Sequence, residues 1–252
     1  MASGRQGKRR VPRTPPPVSA RGPRRQASPK VLAIAGCVVV LAVVGIVLGV
    51  VLSGGKSSPK PIVVDFSAVS GIPEHRLVLG NQLARVRLTE YVDTSCPVCK
   101  GYVETTFPSV SSEFIRSGKV RLDARLIAFV GPSSERGRHL VLAAAKQNKA
   151  WQLMELLYRN QGNERDAWLT DSFARRVAAK VPGLDVDRLL SDADGTAVAE
   201  EAVQMDTQAN TDRVQGTPTF ILTTPDGQRH LLGSGDPGID TFRQTLNRAL
   251  NS

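Results

Sequence analysis

The chain has 252 residues, 41% hydrophobic and 22% charged, with three cysteines and a formal net charge of +10. So few cysteines in a chain of this length exclude a disulfide-stapled scaffold. The charge is also unevenly placed: nine lysines or arginines and no acid fall in Met1–Lys30, which leaves only +1 on the remaining chain.

Met1–Lys30 is rich in proline, Arg13-Thr14-Pro15-Pro16-Pro17 included, and has too little apolar surface to bury a core. It reads as a disordered basic leader. Val31–Leu52 follows without a charged residue. At about 1.5 Å per residue it spans about 33 Å, enough for the hydrocarbon core of a bilayer. Basic residues before the span and few after it put the N-terminus in the cytoplasm and the rest of the chain outside. The leader then needs no nucleic acid to explain its charge, which holds the tail inside and suits anionic lipid. A cleaved signal peptide fits less well, since the run is long and no Ala-X-Ala follows, only Leu52-Ser53-Gly54-Gly55. Ile34-Ala35-Gly36-Cys37 has the look of a lipoprotein box, but such a box should close an apolar run, and this run continues well past Cys37. The expectation is a retained single-pass membrane anchor.

Residues 53–61, Ser-Gly-Gly-Lys-Ser-Ser-Pro-Lys-Pro, form a tether. Ile62–Phe66 and Arg76–Leu79 are short candidates for edge strands. Ala84–Val92 puts Val86, Leu88, Glu90 and Val92 on one face and is the candidate central strand. Lys100–Ser117 reads as a helix that Pro108 kinks or breaks, and Val120–Phe129 as the next strand. From Ser134 to Asn210 the pattern is helical: Trp151–Tyr158 is one helix, and Leu169, Phe173 and Val177 recur at helical spacing on another. Gly183 and Gly195 punctuate this stretch. Phe220–Leu222 and His230–Leu232 flank Thr224-Pro225-Asp226-Gly227, a hairpin signal, before a last helix over Ile239–Leu250.

Outside the apolar span only two cysteines remain, in Asp93-Thr94-Ser95-Cys96-Pro97-Val98-Cys99-Lys100. A strand before them and a helix after them put the first sulfur at a helix N-terminus, where unpaired N–H groups and the helix dipole favour a thiolate. A thiolate beside a second thiol can exchange disulfides. Half a zinc site is the rival reading, but zinc needs two more ligands, and His75, His139 and His230 stand at no finger-like spacing.

Cys96-Pro97-Val98-Cys99 after a strand, a long helical stretch, and Gly216-Thr217-Pro218-Thr219-Phe220 before an apolar strand together resemble a DsbA-like thioredoxin-fold oxidoreductase. The resemblance covers Leu79 to Leu250. It implies an α/β fold over residues 62–252, with a central mixed β-sheet and a helical insertion at about 133–210, preceded by the one transmembrane helix. It implies that Cys96 is the attacking sulfur, that Cys99 resolves the mixed disulfide, and that Pro97 and Val98 tune the redox poise. Oxidases of this type often carry His in the second slot. Val98 offers neither charge nor donor, which points to a potential between about −270 mV for thioredoxin and about −120 mV for DsbA.

By the same resemblance, Pro218 is cis and packs on the cysteines, and Thr217 offers its backbone to an extended substrate segment. Glu90 lies beneath the site, where a buried carboxylate with a raised pKa can relay the proton of the second thiol. The activity implied is disulfide formation in reduced exported proteins, with reoxidation by a membrane partner of the DsbB or VKOR type, and no cofactor or metal. A reductase or isomerase of the same fold is the alternative within the class, although Ile62–Asn81 is too short for the dimerisation domain that isomerases carry. A non-catalytic extracytoplasmic binding domain is the alternative outside it, since the fold alone licenses no activity.

Overall fold

The computed structural model describes residues 60–252. The basic leader, the apolar span with Cys37 and all but the end of the tether lie outside the described residues. Among the described residues, no helix is long and apolar enough to cross a membrane. In chain order they form β1 (Glu74–His75), β2 (Val78–Leu79), β3 (Val86–Val92), α1 (Pro97–Thr105), α2 (Phe107–Val110), a π-helical turn (Ser111–Ile115) and β4 (Val120–Leu126). Five helices follow: α3 (Ser134–Ala145), α4 (Ala150–Arg159), α5 (Asp171–Ala178), α6 (Val186–Ala193) and α7 (Thr196–Thr211). The chain then returns through β5 (Thr219–Thr223) and β6 (Arg229–Ser234) to α8 (Ile239–Leu250).

The strands make one mixed sheet in the order β1-β2-β4-β3-β5-β6, in which β3 and β4 run parallel and the other pairs antiparallel. Leu88 sits at its centre, in register with Leu122 of β4 and Leu222 of β5, all three buried. Because side chains alternate along a strand, β3 serves two layers. Glu90 and Val92 line a cavity with Tyr102 of α1 and with Trp151 and Glu155 of α4. Arg87, Thr89 and Tyr91 point the other way and line a groove with Glu201, Gln204 and Gln208 of α7. On the first face the rings of Tyr102 and Phe220 lie 4.9 Å apart, and those of Phe220 and Phe242 lie 5.0 Å apart. This cluster ties α1 and α8 to β5.

Several expected boundaries move, each for a local reason. Ile62–Phe66 is not a strand. The Asn160 side chain pairs the backbone there instead, accepting from Val63 N and donating to Val63 O at 2.8 Å each. Arg76 is not in a strand either: at φ +52° it turns the chain between β1 and β2, and only Val78–Leu79 pairs with β4. The active-site helix begins at Pro97, earlier than expected, because proline's fixed φ suits a first helical position. It stops at Thr105, since Pro108 has no N–H to return to the Glu104 carbonyl. β4 ends at Leu126, after which Phe129 N and Val130 N donate to the Asp93 carboxylate at 3.0 Å rather than to a neighbouring strand.

Helix α3 approaches the turn before Cys96 so closely that a Cβ at Gly137 would fall on the Thr94 hydroxyl and lie 3.3 Å from Leu169 Cδ2. Gly137→Ala therefore sets two effects against each other. Helix propensity favours Ala by about 1 kcal/mol, while overpacking costs about 1–3 kcal/mol. Both neighbours are buried, so the expected outcome is net destabilisation, read as a lower denaturation midpoint in urea. A raised midpoint would mean that α3 has room to move away.

Candidate active site

The site is built on the junction between β3 and α1. Asp93, fully buried at the end of β3, fixes the turn between them. Its Oδ1 accepts from Ser95 N at 2.8 Å, its Oδ2 accepts from Phe129 N and Val130 N, and its carbonyl accepts from Cys96 N at 3.0 Å. The Tyr158 hydroxyl of α4 adds a bond to that carbonyl at 3.3 Å. Gln161 Nε2, just past α4, donates to the carbonyls of Thr94 at 2.8 Å and Cys96 at 3.1 Å. A turn with no regular structure is thus held from both sides.

The turn delivers Cys96 to the N-cap position of α1, where its sulfur accepts from Cys99 N at 3.4 Å. A side-chain acceptor at this position satisfies one of the unpaired donors of a helix N-terminus; here sulfur takes the place usually held by oxygen. Both cysteines are free thiols. Pro97 and Val98 lie between them on the surface, with Val98 49% exposed. Far along the chain, β5 begins directly after the Thr217–Pro218 peptide, which is cis. This brings the Thr217 carbonyl to 3.2 Å from Cys96 Sγ. Thr219 anchors the segment, its hydroxyl donating to Gly216 O at 2.7 Å. Cys96, Cys99, Thr217 and Pro218 are therefore one cluster.

The two thiols are chemically unequal. Cys96 is lowered from the ordinary cysteine value to about 6, chiefly by a hydrogen bond from the Cys99 thiol. Burial opposes this, and Thr217 and the backbone N–H groups of Cys99 and Val98 assist it. Cys99 is pushed well above its ordinary value by burial first, then by its bond to the neighbouring sulfur.

Glu90 lies in the cavity between β3, α1 and α4. Burial raises its pKa to about 8, and the negative charge of Glu155 adds to the shift. Glu155 is itself buried, and desolvation lifts it to about 7 even though Arg159 Nε donates to it at 3.2 Å. Two buried carboxyl groups thus line one cavity. Tyr102 and Tyr158 each feel the charge of both Glu90 and Cys99, which places the acid and the resolving sulfur around the same phenols. Among the described residues, no group of three His, Cys, Asp or Glu side chains could hold a metal ion.

Sequence reasoning singled out Glu90, Cys96, Pro97, Val98, Cys99, Thr217 and Pro218, but not Asp93, Glu155, Tyr158 or Gln161. Asp93 did carry a signal, because an Asp two residues before a backbone donor is an Asx-turn former. The other three lie on or beside α4, and only the tertiary fold brings them to the site.

A thioredoxin family model matches residues 73–229, well over half of the chain. The probable disulfide bond formation protein D of Bacillus cereus is 27% identical over 175 residues, covering 68% of this chain and 77% of that protein. Disulfide bond formation protein D of Bacillus subtilis is 27% identical over 164 residues, covering 62% of this chain and 72% of its own. Among solved structures, oxidised BdbD from Bacillus subtilis superposes with a TM-score of 0.62 at 20% identity, covering 75% of this chain and 96% of that one. Wolbachia pipientis alpha-DsbA1 superposes with a TM-score of 0.57 at 18% identity, covering 69% and 90%. The chain belongs to the thioredoxin family and has the DsbA-like form of its fold.

Proposed function

We propose that this protein forms disulfides in exported proteins from a membrane anchor at Val31–Leu52, with residues 62–252 outside the cytoplasm. It is a thiol:disulfide oxidoreductase, and the inequality of its two thiols carries the direction. A stabilised Cys96 thiolate favours the reduced protein over its disulfide, which makes the Cys96–Cys99 bond an oxidant. The names of the Bacillus relatives support the same direction.

The chemistry runs in two exchanges. A substrate thiolate attacks Cys96 Sγ, the Cys96–Cys99 bond breaks, and Cys99 leaves with the electron pair. Burial disfavours a thiolate at Cys99, so it takes a proton, and Glu90 in the adjoining cavity is the acid that supplies it. A second substrate thiolate then attacks the substrate sulfur of the mixed disulfide and expels Cys96 as its stabilised thiolate. The substrate gains a disulfide, and the protein holds two electrons that a membrane reoxidant of the DsbB or VKOR type removes. The Thr217 backbone beside Cys96 pairs with the extended substrate, reading main chain rather than sequence. Exposed Val98, between the two cysteines, suits the apolar segments of an unfolded substrate.

Four measurements test this reading. In the full chain, Cys99→Ser should accumulate mixed disulfides with exported proteins and Cys96→Ser should accumulate none; equal trapping by both variants would remove Cys96 from its role. Alkylation of Cys96 should rise with pH through a midpoint near 6, with Cys99 unreactive over the same range. The reduction potential should then fall between about −270 and about −120 mV, and a value at the thioredoxin end would assign the protein to reduction.

The fourth concerns Glu90. Its folded pKa of about 8 lies above the usual carboxylate value of 4.5, so the native state holds a proton that the unfolded chain releases between those limits. Stability is thus full below about 4.5 and falls as pH rises toward about 8. Glu90→Gln should flatten this fall and raise the melting temperature at pH 8. It should also slow formation of the mixed disulfide, the step in which Cys99 leaves and takes a proton, by roughly tenfold to a hundredfold. A stabilised variant with unchanged stopped-flow kinetics would leave Glu90 without a part in proton transfer.

A further inference from the structure

The second face of the sheet is charged where a central strand pair is ordinarily apolar. Arg87, Thr89 and Tyr91 of β3 run beside Arg121, Asp123 and Arg125 of β4 in register. Helix α7 packs tightly on this face at one end, where Tyr91, Ile127, Ala209 and Ile221 come together. Beyond that end lies a groove of about 560 Å³, within the size range of small-molecule sites, about 300–1,000 Å³.

Its hydrogen-bonding groups are unbalanced. Both acids on its walls are already committed: Glu201 takes Arg76 at 2.7 Å, while Asp212 takes the Tyr91 hydroxyl at 2.6 Å and both terminal nitrogens of Arg229 at 2.8 and 2.6 Å. Arg87 and Arg125 are left over. Arg87 reaches Thr223 Oγ1 at 3.4 Å and lies 3.9 Å from Asp123, and its Nε is buried with no partner. Asp123 is divided between Arg87 and Arg121, at 3.9 and 3.8 Å. The Arg125 guanidinium meets the carbonyl of its neighbour Ala124 at 3.1 Å and, among the described residues, forms no ion pair. Gln204 and Gln208 add amide donors from the roof, and Leu77, Val78 and Met205 supply an apolar wall.

An arginine fork matches a carboxylate or phosphate two oxygens at a time. We propose that this groove binds a small oxyanion ligand, a phosphate or carboxylate on a short apolar stem, with Arg87 and Arg125 gripping the anion and Leu77, Val78 and Met205 covering the stem. The phosphate could be carried by a soluble ester or by the headgroup of an anionic lipid. The site lies on the face of β3 opposite Glu90, and Arg87 is at the strand end remote from Cys96. Ligand binding and disulfide exchange are thus separable.

The test is calorimetric titration of the full chain in dodecyl maltoside with glycerol 3-phosphate, inorganic phosphate and succinate. Saturable one-site binding of at least one probe is expected, weakened tenfold or more in Arg87→Gln/Arg125→Gln. Arg125→Lys, which keeps the charge but loses the fork, should fall between the two. Disulfide exchange through Cys96 at the wild-type rate in both variants reports an intact fold. Repeating the titration with phosphatidylglycerol in the micelle separates the sources: lost glycerol 3-phosphate binding identifies the lipid headgroup as occupant, and unchanged binding identifies a soluble anion. Absence of binding by all three probes, or equal affinity in the double variant, overturns the proposal.

Discussion

A sulfur that must serve both as nucleophile and as helix cap has to be presented at one place and one angle. Cys96 meets this constraint because α1 starts directly beneath it, with the Cys99 N–H aimed at Cys96 Sγ from 3.4 Å. The geometry survives only if the preceding turn cannot relax, and the Asp93 carboxylate holds three backbone donors there for that purpose. A buried carboxylate that accepts several N–H bonds resists replacement, since removing it strands each donor at about 1–3 kcal/mol. Gly137 belongs to the same arrangement: its missing side chain lets α3 press against Thr94 and close the turn from outside. The reactivity of Cys96 is in this sense a property of β3, α3 and the loop after β4 as much as of the cysteine itself.

The same packing creates the asymmetry between the thiols. Cys96 stands at the edge of the core and is reached by donors, whereas Cys99 is fully buried one turn further along. The exchange proposed above returns a proton to this inner sulfur as it leaves, and so calls for a buried acid. Glu90 is one, and the helical insertion contributes a second in Glu155. Like charges in one cavity oppose joint ionisation, so Glu155 helps to keep Glu90 protonated near neutrality, and Arg159 in turn limits how far Glu155 follows. The insertion therefore does more than cover the sheet, because the charge of Glu155 adds to the upward shift that burial gives Glu90.

Legibility in the sequence followed the range of each interaction. The Cys-Pro-Val-Cys pair, the helix break at Pro108, the Thr224–Gly227 turn and the bounds of α8 are local effects, and reading them required only neighbours along the chain. Ile62–Phe66 misled because a short β-branched apolar run reads as a strand, while the partner of Val63 is a side-chain amide 97 residues away. Glu90 could be placed on the inner face by alternation alone. Its electrostatic neighbour could not, because a lone Glu in a helix reads as a solvent-facing residue until α4 packs across the cavity and buries Glu155.

Alternation along β3 gives the sheet two chemically distinct sides from one seven-residue strand. Leu88, Glu90 and Val92 build the side that faces the active-site helix, and Arg87, Thr89 and Tyr91 build a polar side with a cation in it. Each side constrains the other. A register slip that moved one arginine inward would put an unpaired guanidinium beside Phe220 and Phe242 and would expel Glu90 from its cavity. The polar face thus fixes the register that the redox face requires. Arginine serves this better than a smaller polar residue, since its charge cannot be titrated away to allow burial. The cost is a row of cations on the open face, and the incomplete cover of α7 leaves those cations accessible to an anion.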